Sequence, residues 1–236
     1  MSGALKGRIA LVTGASRGIG RAAAIALGRE GAHVICVART VGGLEETDDA
    51  IQKVGGTATL VPLNLKDFAA IDRLGASIFE RWQKLDMFLG NAGTLGVLTP
   101  VAHLDPKVFQ ELLDINITAN YRLIRSLDPL LRLSDAGRAL FVTSGAARKH
   151  TAFWGGYAMS KAALEMLART YAAECSTTNI KVNLLDPGAT RTFMRAKAMP
   201  GEDPSTLKRP EELAPLIVEL LSPANEKQGE LVQFQP

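Results

Sequence analysis

The stretch Thr13-Gly14-Ala15-Ser16-Arg17-Gly18-Ile19-Gly20 follows directly on the apolar run from Ile9 to Thr13. A short apolar run that ends in glycines and leads into a helical pattern predicts a β-strand, a tight turn and an α-helix. Glycine in such a turn lets the backbone approach a pyrophosphate, and the unpaired N–H groups at the helix start attract an anion. An ordinary tight turn would also fit the stretch alone. Because it opens a chain of alternating strands and helices, we predict a dinucleotide-binding turn.

Short apolar runs and longer helical patterns alternate along the rest of the sequence, as is typical of a parallel sheet covered by helices. We predict one Rossmann-type α/β domain over residues 1–236, a doubly wound sheet of about seven parallel strands with helices on both faces. The predicted strands are 9–13, 33–38, 59–65, 85–89, 139–143, 180–185 and 231–234, and the predicted helices are 18–31, 44–54, 69–82, 106–133, 157–175 and 211–221. A break in the helix 106–133 is expected at Asp128–Pro129, because proline removes a backbone donor.

The segment 186–210 is too long and too rich in proline and glycine to be a simple connection. Long irregular segments in compact domains commonly cover a functional site. We therefore expect a mobile, substrate-covering segment near 187–210.

Composition excludes several classes of function. The net charge is only +3 and the basic residues are dispersed, which argues against nucleic-acid binding. No run of eighteen apolar residues suggests a membrane span, and the start lacks the pattern of a signal peptide, so we expect a cytoplasmic protein. Cys36 and Cys175 have no metal-like spacing, and the three histidines are dispersed, so no metal site is predicted.

The end of the second predicted strand bears on the choice of cofactor. An acidic residue there would accept hydrogen bonds from the ribose of NAD, but the sequence is Val37-Ala38-Arg39-Thr40. Arg39, together with Arg17 in the glycine turn, could hold a 2′-phosphate as charged donors. Two solvated arginines are the alternative. We predict binding of NADP (NADPH), with NAD less favoured.

Tyr157 and Lys161 lie four residues apart in a predicted helix, so their side chains share one face. A phenol with a pKa of about 10 exchanges its proton poorly near neutrality. A neighbouring cation favours the phenolate and is expected to lower that pKa. The pair therefore predicts an acid–base group, although an ordinary surface pair has the same spacing.

With these residues in hand, the chain resembles the short-chain dehydrogenase/reductase family over essentially its full length. The matching motifs, in order, are TGASRGIG at 13–20, Asn91-Ala92-Gly93, Asn116, Ser144, Tyr157-Ala158-Met159-Ser160-Lys161, and Asp186-Pro187-Gly188 followed by Thr192. Within the family it looks like the subgroup with TGxxxGxG and YxxxK motifs.

The resemblance implies a catalytic set of Asn116, Ser144, Tyr157 and Lys161. Tyr157 would be the general acid or base, Lys161 would bind the nicotinamide ribose, Ser144 would hold the substrate oxygen, and Asn116 would anchor a proton-relaying water. The cofactor-binding set implied by the resemblance and the residues is Gly14, Ser16, Arg17, Gly18, Ile19, Gly20, Arg39, Asn64, Leu65, Asn91, Ala92, Gly93, Tyr157, Lys161, Pro187, Gly188, Thr190 and Thr192.

Two departures from the family pattern affect these expectations. Asn64 stands where the family often has aspartate, although its amide oxygen can still accept a hydrogen bond from adenine. Family members commonly end in a longer V-D-G-G-like tail that joins subunit contacts, whereas this chain ends in Gln233-Phe234-Gln235-Pro236. We expect a homo-oligomer through the long helices, with a dimer favoured relative to the usual tetramer.

The expected activity is NADP-dependent interconversion of a small-molecule carbonyl compound and an alcohol. Substrate contacts are predicted at Ser144 and Tyr157, and at Phe153 and Trp154 just before the catalytic helix, where core packing is the alternative. A non-enzymatic dinucleotide sensor or scaffold on the same fold, and an NAD-preferring dehydrogenase, are the competing hypotheses.

Overall fold

The computed structural model describes residues 3–234, so Gln235 and Pro236 of the short tail lie outside it. Seven strands form one sheet in the order β3-β2-β1-β4-β5-β6-β7, and every neighbouring pair is parallel. The strands are β1 Ile9–Thr13, β2 His33–Ala38, β3 Thr57–Pro62, β4 Met87–Gly90, β5 Arg138–Val142, β6 Lys181–Asp186 and β7 Leu231–Gln233.

Helices connect the strands and lie on both faces of the sheet. They are α1 Gly18–Arg29, α2 Val41–Lys53, α3 Phe68–Trp82, α4 Pro106–Leu113, α5 Ala119–Arg132, α6 Gly155–Glu174, α7 Phe193–Ala198 and α8 Pro210–Leu221. Short 3-10 turns occur at Val101–His103, Gly145–Arg148 and Pro204–Thr206, and a π-helical turn at Asp114–Thr118 joins α4 to α5.

The Rossmann-type doubly wound fold predicted from the alternating pattern is confirmed. Each face of the sheet carries its own apolar cluster. One cluster includes Phe88 and Phe141, and the other includes Leu27, Val34 and Cys36. The strand order reverses between β1 and β4. In α/β sheets, ligands bind in the crevice at the carboxyl ends of the strands, next to such a reversal. The fold therefore brings the glycine turn and the segments after β4, β5 and β6 to one edge.

The third strand begins and ends earlier than the sequence predicts. It spans Thr57–Pro62, not 59–65, so Asn64 and Leu65 follow the strand. Asn64 forms a turn instead, since its Oδ1 accepts from the Lys66 amide at 3.1 Å and its carbonyl accepts from the Asp67 amide at 2.8 Å. Local bonds of this kind compete with the ladder of a sheet.

The break expected at Asp128–Pro129 was wrong. Helix α5 continues through Pro129, and the irregular turn lies upstream at Asp114–Thr118, around the buried Asn116. The missing proline donor costs one backbone hydrogen bond, but α5 buries an apolar face that includes Leu123, Leu127 and Leu130. Packing of that face holds the helix where local preference would end it.

The segment 187–210 is structured in part. It contains α7 and the turn at Pro204–Thr206, and its two ends meet in a bridge between Thr190 and Lys208.

Within residues 3–234, no helix combines the length and apolarity needed to cross a bilayer.

Asp86 is a buried carboxylate just before β4, at the end of the sheet opposite the glycine turn. Its Oδ1 accepts from Arg8 at 3.1 Å, Lys84 at 2.9 Å and Ser134 at 2.6 Å, and its Oδ2 accepts from the Ile9 amide at 2.8 Å. The side chain is 0% exposed. It thereby ties β1, β4 and the turn before β5 together.

Replacing Asp86 by Asn should lower the free energy of unfolding by about 3 kcal/mol, because two cations lose a buried partner. Asp135 is the matched control, since it also pairs with Arg8 but is 72% exposed. Asp135→Asn should cost less than about 1 kcal/mol. Urea unfolding followed by circular dichroism measures both values, and equal losses for the two variants would contradict the argument.

Candidate active site

A cavity of about 860 Å³ lies at the carboxyl edge of the sheet, beside the glycine turn. Most of the candidate site residues line it. They are Gly14, Ser16, Arg17, Gly18, Ile19, Arg39, Asn64, Leu65, Asn91, Ala92, Gly93, Ser144, Trp154, Tyr157, Lys161, Pro187, Gly188, Thr190 and Thr192. Gly20, Asn116 and Phe153 are not among the lining residues.

The glycine turn leaves no room for side chains at two of its positions. A Cβ at Gly20 would lie 2.3 Å from the Gly14 carbonyl oxygen and 2.5 Å from Asn91 Nδ2. Gly14 has a φ of +68°, and a Cβ there would lie 2.8 Å from the same amide. Gly20 therefore packs against the turn itself, and its contact with a cofactor stays a prediction.

Helix α1 begins directly after this turn. Its N-cap residue, Arg17, offers no side-chain acceptor to the first N–H groups of the helix. Such a helix start, with its positive dipole end, suits a phosphate group.

Asn91 and Thr13 lock β1 to β4 beneath the turn. Asn91 Nδ2 donates to the Thr13 carbonyl at 2.9 Å, and Thr13 Oγ1 accepts from the amides of Asn91 and Ala92 at 3.0 and 3.1 Å. Asn91 thus fixes the cavity floor as well as lining it.

One end of the cavity is strongly basic. Arg17 and Arg39 both line it and both are exposed, and Arg21, which the sequence analysis missed, lines it too. Arg21 Nε is buried and has no hydrogen-bond partner among the described residues. Its position four residues after Arg17, on the same helix face, is the signal that could have identified it.

Tyr157 and Ser144 meet at the other end. The Tyr157 phenol lies close enough to Ser144 for that hydroxyl to lower the pKa of the phenol, and only 7% of the tyrosine is exposed. Ser144 is held by a hydrogen bond, because its Oγ accepts from the Ala146 amide at 3.2 Å. The two hydroxyl groups therefore present one paired set of donors to the cavity.

Lys161 is buried behind this pair. Its Nζ donates to the Val142 carbonyl at 2.9 Å and lies 6.0 Å from the centroid of the Tyr157 ring. Gly93 lies close by, since a Cβ there would be 3.4 Å from Lys161 Nζ. The absence of a side chain at Gly93 keeps this ammonium accessible from the cavity.

The protein's own groups do not produce the lowered tyrosine pKa that the sequence predicts. Burial raises the pKa of the Tyr157 phenol to about 12, the Ser144 hydrogen bond lowers it, and the Asp186 carboxylate raises it. Burial also lowers the pKa of the Lys161 ammonium to about 8, against the opposing effect of Glu165. The expectation rested on the charge of the neighbouring lysine, whereas desolvation is the largest cause of the pKa shift of both groups.

Asn116 sits in the π-helical turn with its side chain fully engaged. Its Nδ2 donates to the Thr94 carbonyl at 2.9 Å and to Ser160 Oγ at 2.8 Å, and its Oδ1 accepts from the Thr94 amide at 2.8 Å. Ser160 in turn donates to the Tyr157 carbonyl at 2.8 Å. These bonds join the segment after β4 to α6.

The wall around Tyr157 is apolar. Trp154 packs edge-on against the Tyr157 ring with centroids 6.0 Å apart. Leu95, Ile115, Met194 and Ala198 complete the lining. Of these, only the Trp154 contact was predicted as a substrate contact, because the others come from segments that the fold alone brings together.

Phe153, which the sequence predicts as a substrate contact, lies outside the cavity lining. Its ring is 57% exposed. The backbone of Phe153 has a φ of +73°, which turns the chain into α6 and leaves the ring outside. Trp154, one residue later, occupies the predicted wall.

Helix α7 spans the mouth of the cavity. At one end of the helix, the Arg17 guanidinium carbon lies 4.8 Å from the centroid of the Phe193 ring. At the other end, Lys197 Nζ donates to the Gly96 carbonyl at 3.1 Å. None of the α7 residues is buried.

Over residues 3–234, no group of three His, Cys, Asp or Glu side chains is arranged to hold a metal ion.

The family model for short chain dehydrogenases matches residues 8–203. The uncharacterized oxidoreductase YciK of Escherichia coli (strain K12) is 38% identical over 236 residues, covering 98% of this chain and 93% of that protein. A short chain dehydrogenase from Shigella flexneri 2a str. 301 complexed with NADP has a TM-score of 0.95 at 38% identity, covering 100% of both chains. One from Escherichia coli CFT073 complexed with NADPH has a TM-score of 0.93 at 38% identity, again covering 100% of both.

These matches extend over most of the sequence and over the complete fold, and they confirm the resemblance predicted from the motifs. The chain belongs to the short-chain dehydrogenase/reductase family of oxidoreductases.

Proposed function

We propose that the protein is an NADP-dependent oxidoreductase that interconverts a small carbonyl compound and an alcohol, with Tyr157 as general acid or base. The observation that carries this proposal is that Tyr157, Ser144 and Lys161 line the same cavity as the glycine turn. A dinucleotide lying along that cavity would join the two ends.

The lining residues fit NADP. The uncapped start of α1 and the crowded glycines suit the pyrophosphate, and the basic end formed by Arg17 and Arg39, with the unpartnered Arg21 beside them, suits a 2′-phosphate. Asn64, Leu65 and the segment 91–93 would pack along the adenosine half, and Pro187, Gly188, Thr190 and Thr192 along the nicotinamide half. The structures of relatives complexed with NADP and NADPH support this assignment.

The bound nicotinamide would supply or accept the hydride, and the protein would handle the proton. Ser144 and Tyr157 can both donate to a substrate oxygen, which gains negative charge as a carbonyl is reduced. A pKa of about 12 keeps the Tyr157 phenol protonated at neutral pH, as an acid in reduction requires. Its action as a base in oxidation would draw on the positive charges of Lys161 and of an oxidised nicotinamide.

Lys161 and Asn116 would support this proton transfer. Lys161 donates one proton to Val142, which leaves others for the nicotinamide ribose. Both amide protons of Asn116 are already bonded, so a relay water near Lys161 would have to donate to an oxygen of Asn116. The apolar wall at Trp154 and Met194 would hold the carbon skeleton of the substrate, and the segment 187–210 would cover it.

We also propose a homo-oligomer, a dimer or a tetramer, formed through the long helices. The exposed Phe109 on α4 and Met166 on α6 support such a contact, since 39% and 66% of these side chains are exposed. Light scattering of the purified protein tests the assembly, and a monomer would contradict it.

Replacing Tyr157 by Phe removes the proposed proton donor and preserves the ring packing against Trp154. General acid–base catalysis contributes about 10²- to 10⁴-fold, so kcat/KM for carbonyl reduction should fall by about 10³. NADPH absorbance, followed against a panel of ketones, aldehydes, quinones, acyl thioesters and steroids, measures the change.

The affinity for NADPH should stay within about threefold in this variant, because the phenol acts on the substrate oxygen. Tyr121→Phe is the matched control, since Tyr121 does not line the cavity. Full activity of Tyr157→Phe would refute the proposed mechanism.

Replacing Arg39 by Ala should weaken NADPH binding about 10- to 100-fold, the value of one charge-assisted hydrogen bond to a phosphate. NADH, which lacks the 2′-phosphate, should lose little affinity. Calorimetric titration with each cofactor measures the difference. Arg29→Ala, at the far end of α1, removes the same charge away from the cavity. A wild-type protein that prefers NADH, or equal losses for the two cofactors, would contradict NADP specificity.

A further inference from the structure

A cluster of three charged side chains lies directly behind the catalytic residues, and the proposed reaction does not use it. The Arg148 guanidinium bridges the carboxylates of Glu165 and Asp186, donating to one through each terminal nitrogen. The carboxylate side chains are 10% and 8% exposed, and that of Arg148 is 32% exposed. Arg148 is therefore the one cation in the described part of the chain whose hydrogen bonds join both of these carboxylates.

The bridge joins the three segments that carry the proposed active site. Arg148 ends the single turn that begins directly after Ser144. Glu165 lies on α6 one turn beyond Lys161, and Asp186 is the last residue of β6, next to Pro187. The guanidinium therefore bonds the turn after Ser144 to both α6 and the end of β6.

Further bonds transmit the position of each carboxylate. Thr143, the residue before Ser144, donates its hydroxyl to Glu165 Oε1 at 2.8 Å. The Gly188 amide donates to Asp186 Oδ1 at 3.1 Å. The carboxylates thus hold the backbone on both sides of the cavity, and Arg148 holds the carboxylates.

The same cluster determines the charge that the catalytic groups experience. Glu165 raises the pKa of the Lys161 ammonium against the effect of burial, and Asp186 raises the pKa of the Tyr157 phenol. The charged and titratable groups of the surrounding elements include Tyr157, Lys161 and Glu165 on α6, Arg148 and Lys149 after Ser144, Asp186 on β6, Lys208 before α8, and Asp114 in the π-helical turn, where it accepts from Gln110.

We propose that Arg148 is a positioning residue of this enzyme, which holds the Ser144 turn, α6 and the end of β6 in register and compensates the charge of Glu165 and Asp186 behind Lys161 and Tyr157. The importance of the arrangement for turnover rests on the proposed function. The arrangement itself does not, so the two can be tested separately.

The test is the ionisation of Lys161, followed by carbon-13 NMR of protein labelled at the lysine Cε and assigned with a Lys161→Met variant. Arg148→Met leaves Glu165 uncompensated and should raise the pKa of Lys161 by at least about one pH unit. Glu165→Gln removes the neighbouring negative charge and should lower that pKa. The two shifts have opposite signs, which a general loosening of the fold would not produce.

The conservative variant Arg148→Lys separates charge from geometry. Lysine retains the positive charge, so the pKa of Lys161 should stay closest to that of the wild type. It lacks the planar fork of arginine, so it cannot hold both carboxylates in place. NADPH-dependent carbonyl reduction by this variant should still fall, by about tenfold in kcat, because small misplacements of catalytic groups are costly. The KM for NADPH should change by less than about twofold.

Folding of each variant is checked first by urea unfolding. If Arg148→Met does not fold, Arg148→Lys and Glu165→Gln decide, with an unchanged and a lowered pKa expected for Lys161. The proposal is overturned if Arg148→Met and Glu165→Gln shift that pKa in the same direction, if Glu165→Gln leaves it unchanged, or if Arg148→Lys retains full kcat. Absence of turnover in the wild type would count against the proposed function alone, because the titration needs no substrate.

Discussion

The contact between Gly20 and the Gly14 carbonyl is the constraint on which the site depends. A Cβ would approach that oxygen to 2.3 Å, so any side chain at this position would push α1 away from the end of β1. The same close approach places Asn91 against the turn and locks β1 to β4, the two strands between which the sheet reverses its order. Cavity, helix start and catalytic segments all take their positions from that junction.

Much of this arrangement follows from local pattern. The strands and helices are short-range features with strong periodicity, and the ordered motifs are enough to identify the family. The glycine turn, the segment 91–93, Ser144, Tyr157 and Lys161 converge as expected because the carboxyl ends of parallel strands share one edge. Topology thus converts a linear order of motifs into a site.

The remaining features depend on burial and packing between distant segments, which the sequence pattern does not contain. Desolvation raises the pKa of the Tyr157 phenol. Helix α5 continues past Pro129 because its apolar face is packed. A left-handed backbone at Phe153 directs that ring to solvent and gives the wall to its neighbour. Likewise, the Arg148 bridge joins residues that lie 17 and 38 positions apart.

The weak attachment of α7 affects how small molecules enter and leave the cavity. This helix contributes no buried residue. The Phe193 ring on Arg17 and Lys197 on the Gly96 carbonyl are exposed contacts worth about 1 kcal/mol each, and the half-buried Met194 and Ala198 pack against the cluster around Tyr157. Releasing it therefore requires far less free energy than opening the sheet. Entry and exit of small molecules are energetically uncoupled from the stability of the scaffold, and the rim can diverge in sequence at little risk to folding.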